Sequence, residues 1–333
     1  MDDLKFVIES SEAQTLANKL GLKSVVHLLP LIAKSAKKLA RPPISGFPVA
    51  AVGLATDGRI FIGVNVEFPG LPLHHSIHAE QCLITNLSLH PQTHLKNVVV
   101  SAYPCGHCRQ FLQEIRGAPD IQIFVLDKND DQESESEQIN GYPDEESDWF
   151  RPLSCFLPNR FGPHDLLDKT VPLILETINN NLVLDDGKIV EMGNLCNVVS
   201  RFEVGELVSA AFEAANRSHA PYSGSPSGVA LVDVNGKFYK GCYMESAAFN
   251  PSIGPVQAAM IAFITAVDGG FGTGGCDVGA DYERIVGAVL VEVEGAVVRQ
   301  EETARLFLNA VIPKCEFRVL RCQKSSSAKT AKE

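Results

Sequence analysis

Basic residues are the scarcest class relative to need: 29 Lys and Arg stand against 40 Asp and Glu, a net charge of -11. A polynucleotide partner is held by clustered Lys and Arg that neutralise its phosphates, so no nucleic acid partner is expected. Long apolar runs are missing too. No stretch reaches the roughly 18 consecutive apolar residues of a membrane span, and no membrane partner is expected. The opening Met1-Asp2-Asp3-Leu4-Lys5 is acidic and carries no apolar run; with no secretory signal expected, the cytosol is the expected location. There are 9 cysteines, an odd count, which without export reads as reduced thiols. Seven of them (Cys82, Cys155, Cys196, Cys242, Cys276, Cys315 and Cys322) have no metal-ligand spacing and read as small buried hydrophobes. What remains is ample core material: 333 residues at 45% hydrophobic content, comfortable for two domains.

Taken in order, residues 11–40 read as helical. Ser10 or Ser11 can cap, Gly21 breaks the run, and Pro30 restarts it. Phe47–Ala55 is an apolar strand, Thr56-Asp57-Gly58 a hairpin turn and Arg59–Asn65 the return strand. Helical spacing follows over Ala79–Leu89, a strand over Asn97–Ala102, a helix over Cys105–Ile115 and a strand over Ile121–Leu126. Helices and strands in this order predict an α/β/α layered fold. Residues 127–149 are dense in Asp, Glu, Ser and Gln and read as an acidic insertion. Phe150–Leu167 regains aromatics, 168–190 reads as a connector, and the Lys-, Ser- and Ala-rich end as a fraying tail.

The chain repeats itself. Arg41–Glu67 lies over His219–Glu245 without a gap, matching Pro43 to Pro221, Ser45 to Ser223, Gly58 to Gly236, Gly63 to Gly241 and Glu67 to Glu245. Glu203–Arg217 supplies the preceding helix again. With one residue deleted after Ala247, His78 falls on Pro255 and Glu80 on Gln257, and no second Cys-x-x-Cys follows. The expected fold is therefore duplicated: a helical N-terminal segment (1–40), a first domain (41–150) containing the insertion 127–149, a connector that also closes the pocket (151–190), a second copy without metal ligands (191–322) and a tail (323–333).

The chemistry is concentrated in His78-Ala79-Glu80 and Pro104-Cys105-Gly106-His107-Cys108. Structural zinc sites usually close with four protein ligands, whereas hydrolytic ones keep three and leave a position for water. His78, Cys105 and Cys108 make three, with one Zn2+ per chain expected. Glu80 is left over to move protons between the attacking water and the group it displaces. The resulting hydroxide would attack the substrate carbon that bears the leaving group. His107 is the nearest candidate for a fourth ligand, at a spacing that would strain the site. His74, His75, His90 and His94 read as loop histidines without a role.

H-x-E followed by P-C-x-x-C is the signature of zinc nucleobase deaminases, and the chain resembles cytidine deaminase, in the long-chain homodimeric class of bacteria and plants. The resemblance is closest over Pro43–Gln113 and includes Asn65-Val66-Glu67. It implies hydrolysis of cytidine and 2′-deoxycytidine to uridine and deoxyuridine, with ammonia released, in pyrimidine salvage. It further implies that Asn65 and Glu67 bond the ribose hydroxyls, that Phe47 packs on the pyrimidine, and that Ala79 offers its N–H to the base carbonyl. Phe161 would close the pocket, from its own or the neighbouring subunit. On burial statistics alone Phe47 would be read as core. Because single-domain members are homotetramers, a chain with two copies is expected to be a homodimer.

Other readings compete. Deamination of cytosine within RNA or single-stranded DNA uses the same motif but needs a groove for flanking nucleotides, which the acidic balance disfavours. A mononucleotide deaminase would need cations for the 5′-phosphate, and the motif segments hold no Lys or Arg cluster. A purine deaminase would differ mainly in pocket shape. A zinc-stabilised binding protein descended from a deaminase is the non-enzymatic reading, disfavoured by the intact first motif.

Overall fold

The computed structural model describes residues 4–90, 93–126, 149–184, 204–266 and 282–325. The acidic stretch up to Asp148, residues 185–203 and the tail from residue 326 lie outside the described residues. Two compact units emerge. The first holds residues 4–67, the described parts of 76–165 and residues 265–266, and the second holds 68–75 and the described parts of 166–264 and 282–325.

In the first unit a short strand β1 (Val7–Ile8) precedes α1 (Ser10–Lys19) and α2 (Leu28–Ala36). Helix α1 begins at Ser10, so the cap position falls on Glu9, and Gly21 beyond it takes φ 68°, a left-handed turn suited to glycine. Pro30 sits inside the first turn of α2 and does not start it; a proline is tolerated there because first-turn N–H groups have no helical partner. The hairpin β2 (Ala50–Ala55) and β3 (Ile60–Val64) is followed by α3 (Ala79–Ser88), β4 (Leu95–Val100), α4 (Gly106–Phe111), β5 (Gln122–Val125) and β6 (Arg151–Pro152). The sheet runs β1-β3-β2-β4-β5-β6. Among the described strands of this sheet only β4 and β5 pair in parallel, as the crossover through α4 requires. Every residue of β2 is buried, and both α2 and α3 pack on it. A fully apolar strand is the pattern of a sheet covered on both faces.

The second unit contains β7 (Leu182–Val183), α5 (Val204–Asn216), β8 (Ser227–Asp233), β9 (Phe238–Cys242), α6 (Pro255–Ala266), β10 (Ile285–Val293), α7 (Glu301–Val311) and β11 (Glu316–Lys324). Its sheet order, β9-β8-β10-β11-β7, reproduces β3-β2-β4-β5-β6, again with one parallel pair at β10 and β11. The turn glycines match in conformation, Gly58 at φ 86° and Gly236 at φ 81°. Within 151–190, the stretch read as a connector, lie an edge strand for each sheet, β6 and β7.

Strands β1, β6 and β7 have two residues each, too few for a periodic signal. The buried amide of Asn86 fastens the first, donating to Phe6 O and Ile62 O at 3.1 Å each. Trp149 closes the acidic stretch as a buried residue packed against His27 and Phe124. Of the cysteines read as buried, Cys82 and Cys322 are; Cys155 is exposed, Cys242 and Cys315 are partly so, and Cys196 and Cys276 lie outside the described residues. His75 is no idle loop histidine: it is buried beside Phe307 in the second unit.

Candidate active site

Two helix starts build the site. His78 immediately precedes α3 and Cys105 immediately precedes α4, both in extended backbone (ψ 156° and 168°). That conformation hangs each side chain in front of its helix instead of alongside it. Cys108, one turn into α4, brings the second thiol to the same point. The first N–H groups of α3 have no helical partner and carry the positive end of its dipole, which favours thiolates.

His78 Nδ1 lies 3.4 Å from Cys105 Sγ and 3.4 Å from Cys108 Sγ, and the sulfurs are 3.7 Å apart. Tetrahedral zinc, with Zn–S of about 2.3 Å and Zn–N of about 2.0 Å, sets two sulfurs about 3.8 Å apart and a sulfur and nitrogen about 3.5 Å apart. The donor set and spacing therefore fit zinc. No second cluster of this kind occurs among the described residues.

The thiols divide one proton between them. Cys105 is held down to about 3, first by the hydrogen bond from Cys108 and then by His78. Cys108 is pushed well above 9.0 by the same bond and by burial. Metal binding must expel such protons. Glu80 is buried against Cys108, and burial raises its carboxyl above the ordinary glutamate value. A divalent cation at the cluster would pull it back down.

Glu67 accepts from Ile44 N at 2.8 Å, Ser45 N at 2.9 Å and Ser45 Oγ at 2.6 Å. Burial works to raise its pKa, but the hydrogen bonds from Ser45 and Ile44 outweigh it and leave the carboxyl below its usual value. Glu245 makes the same bonds to Tyr222, Ser223 N and Ser223 Oγ in the second unit, so this clasp belongs to the fold. Asn65 likewise spans its hairpin, accepting from Val49 N at 2.8 Å and donating to Phe47 O at 3.0 Å. Phe47 is 55% exposed. That excludes the core role burial statistics suggest and leaves its ring at the surface of the first unit. Phe161, 46% exposed, is tethered through its carbonyl to Gln110 of α4.

Three positioning contacts escape a reading of the motifs. Gln81 accepts the His78 N–H at 3.1 Å and reaches His107 Nε2 at 3.0 Å. His107, the candidate fourth ligand, is thereby turned to Gln81, with its ring stacked on that of His78. Arg109 pins the cysteine loop, donating to Pro104 O at 2.7 Å and Phe156 O at 3.1 Å. Ser45, finally, joins Glu67 to Phe47 through its hydroxyl, which accepts Phe47 N at 3.1 Å.

The repeat register needs correcting beyond the hairpin. Val66 bridges Ile77, eleven residues on, whereas Met244 bridges Ile253, nine residues on. Two residues are missing from the second copy, not one. The strand glycines agree: a side chain on Gly63 would strike the backbone of Ala79 and Leu83, and one on Gly241 that of Pro255 and Ala259. His78 therefore corresponds to Gly254, Glu80 to Val256 and Gln81 to Gln257, not His78 to Pro255 and Glu80 to Gln257. In that register Gln257 accepts the Gly254 N–H at 3.0 Å, the same bond that Gln81 makes to His78. A correctly registered repeat would have marked Gln81 in advance.

Two stretches of the chain, residues 24–125 and 153–305, match family models described as the cytidine and deoxycytidylate deaminase zinc-binding region. The chain is 55% identical over 322 residues to Cytidine deaminase 1 of Arabidopsis thaliana, covering 97% of this chain and 99% of that protein. It is 43% identical over 329 residues to Cytidine deaminase 6 of the same plant, covering 97% and 99%. To the cytidine deaminase of Yersinia pestis (strain Pestoides F) it is 37% identical over 309 residues, covering 92% of this chain and 86% of that protein. With likeness running the length of the chain and a donor cluster shaped for zinc, this protein belongs to the cytidine deaminase family of zinc enzymes.

Proposed function

We propose that the chain hydrolyses cytidine and 2′-deoxycytidine to uridine and deoxyuridine, with zinc held by His78, Cys105 and Cys108. The observation that carries this reading is the trio of donors at zinc spacing with the buried Glu80 beside it. Bound there, zinc would acidify a water and so supply a nucleophile at neutral pH. Glu80 would take one proton of that water and give it to the ring nitrogen beside the reacting carbon, then take the second from the hydroxyl newly joined to that carbon and give it to the departing amine, so that both water protons are used. Its burial supports this part, because a carboxyl that readily holds a proton serves as acid as well as base.

Around it the first unit offers groups suited to a nucleoside. Glu67 has about four acceptor positions and spends three on its loop, which leaves one for a ribose hydroxyl. Asn65 keeps a second amide N–H for the same sugar. Phe47 is a wall for the pyrimidine, Ala79 an N–H donor to its carbonyl, and Phe161 a closing residue. A 3′-phosphate against Glu67 would be repelled, which supports a free nucleoside over RNA or single-stranded DNA. The second copy, with Gly254 and Val256 where the first has His78 and Glu80, is kept for packing without metal. The chain acts as a cytosolic homodimer in pyrimidine salvage.

The test is ammonia release from cytidine by the full chain, with zinc determined on the same sample. Turnover with one zinc per chain is expected, and two zincs would refute the metal-free second copy. Glu80→Gln should lose about 10²–10⁴-fold in kcat while keeping its zinc. Near-native turnover in that variant would overturn the mechanism.

A further inference from the structure

We propose that His107 is a positioning residue for His78: its ring, fixed by Gln81, sets the orientation in which His78 presents Nδ1 to the metal. The inference rests on His78 being a zinc ligand. His78 faces both sulfurs through Nδ1, so Nε2 points away from them. Metal-bound imidazoles usually owe their orientation to a hydrogen bond from that second ring nitrogen to a carboxylate or carbonyl. Among the described residues no carboxylate or carbonyl accepts from Nε2 of His78; besides the two sulfurs, its side chain meets the backbone of Gln81 at the start of α3. Its ring is instead backed by His107, with centroids 5.3 Å apart and planes 27° from parallel.

His107 is itself held. The Oε1 of Gln81 is committed to the His78 N–H at 3.1 Å, so the other end of that amide is the donor, and it meets His107 Nε2 at 3.0 Å. A single side chain thus ties the backbone of the ligand to the ring stacked on it. The repeat separates what serves the fold from what serves the metal. Gln257 keeps the backbone bond, to Gly254, but its amide donates to His75 O at 2.9 Å. The backbone clasp therefore persists where no ligand exists, and the histidine arm occurs in the copy with metal donors.

The experiment uses the full chain with His107→Ala, His107→Phe and Gln81→Leu. Zinc loss to a chromogenic chelator is timed, and the ligand-field spectrum of the Co2+-loaded protein is recorded. His107→Ala should release zinc about 10–100-fold faster and shift the Co2+ bands. His107→Phe, which keeps a ring face against His78, should stay near the native rate and spectrum, with Gln81→Leu between the two. A merely structural role would lower the melting temperature without moving the Co2+ spectrum, and that result overturns the proposal. So does a His107→Phe variant as leaky as His107→Ala. A native chain that binds neither zinc nor Co2+ would instead sink the assignment of His78, Cys105 and Cys108, so the two failures are told apart.

Discussion

Gly63→Ala is the smallest change that should disable the site from outside it. The new methyl would land on the backbone of Ala79 and Leu83 in α3. Non-bonded carbon contacts settle near 3.5 Å or more, so α3 must lift from β3 by roughly 1 Å, and backbone atoms cannot swing aside as a side-chain tip would. His78 and Glu80 ride on the first turn of α3, while Cys105 and Cys108 belong to α4. The lift therefore pulls the His78 imidazole and the Glu80 carboxyl away from two stationary thiols. The donor spacings of 3.4, 3.4 and 3.7 Å tolerate only about 0.2 Å, and a misplacement of about 1 Å costs about 10²-fold in rate. Gly63→Ala should lose about that much kcat on cytidine and hold well under one zinc per chain. Gly241→Ala is the matched control, since its methyl would strike the backbone of Pro255 and Ala259 in the same way. Both variants should lose about 1–3 kcal/mol of stability, but the control should keep zinc and turnover. Gly63→Ala with native zinc content and kcat would refute the reasoning, as would equal loss of activity in both.

Phe47→Ala should leave the melting temperature nearly unchanged, because the ring is 55% exposed; it should raise KM about 5–150-fold, as an aromatic stacked on a base contributes about 1–3 kcal/mol. Zinc uptake should release at least one proton, the one shared by Cys105 and Cys108, and affinity should fall as pH falls. Calorimetry in two buffers of different ionisation enthalpy measures this, and zero proton release would refute the shared-proton picture. Glu67 titrates below the ordinary 4.5 in the folded chain, so near that pH the unfolded chain binds more protons. Its contribution is complete above the unfolded value and is lost as pH falls through the folded one. Ser45→Ala should raise the Glu67 pKa, followed by NMR titration, and lower the stability that the clasp supplies near neutral pH.

Much of the first unit was legible in the chain because its signals are local. Alternation and apolar runs marked β2 to β5 within a few residues, and Gly58 announced its turn. The short edge strands were not legible, since two residues hold no period and their partners lie far away in sequence. The repeat was plain through the hairpin, where the paired strands hold the residue count fixed, but slipped past Ala247, where a loop absorbs deletions without leaving a pattern. Only the paired bridges, Val66 with Ile77 and Met244 with Ile253, set the count. Gln81 was hidden for a related reason, as an amide in a helix has no distinctive chemistry until its two partners are known.

The residue types and their order by themselves pointed to a three-ligand metal site with a spare carboxylate in the first copy, and no His-x-Glu or Cys-x-x-Cys follows the second hairpin to match it; the signal is plain because imidazole, thiolate and carboxylate have few substitutes. Tertiary structure alone decided that the donors meet at zinc spacing, that Phe47 stands exposed, that Glu67 is first a clasp of its loop, and that His107 faces His78. Those properties depend on distances between segments remote in sequence, and such distances are set by how helices seat on sheets, down to a glycine that lets α3 lie close.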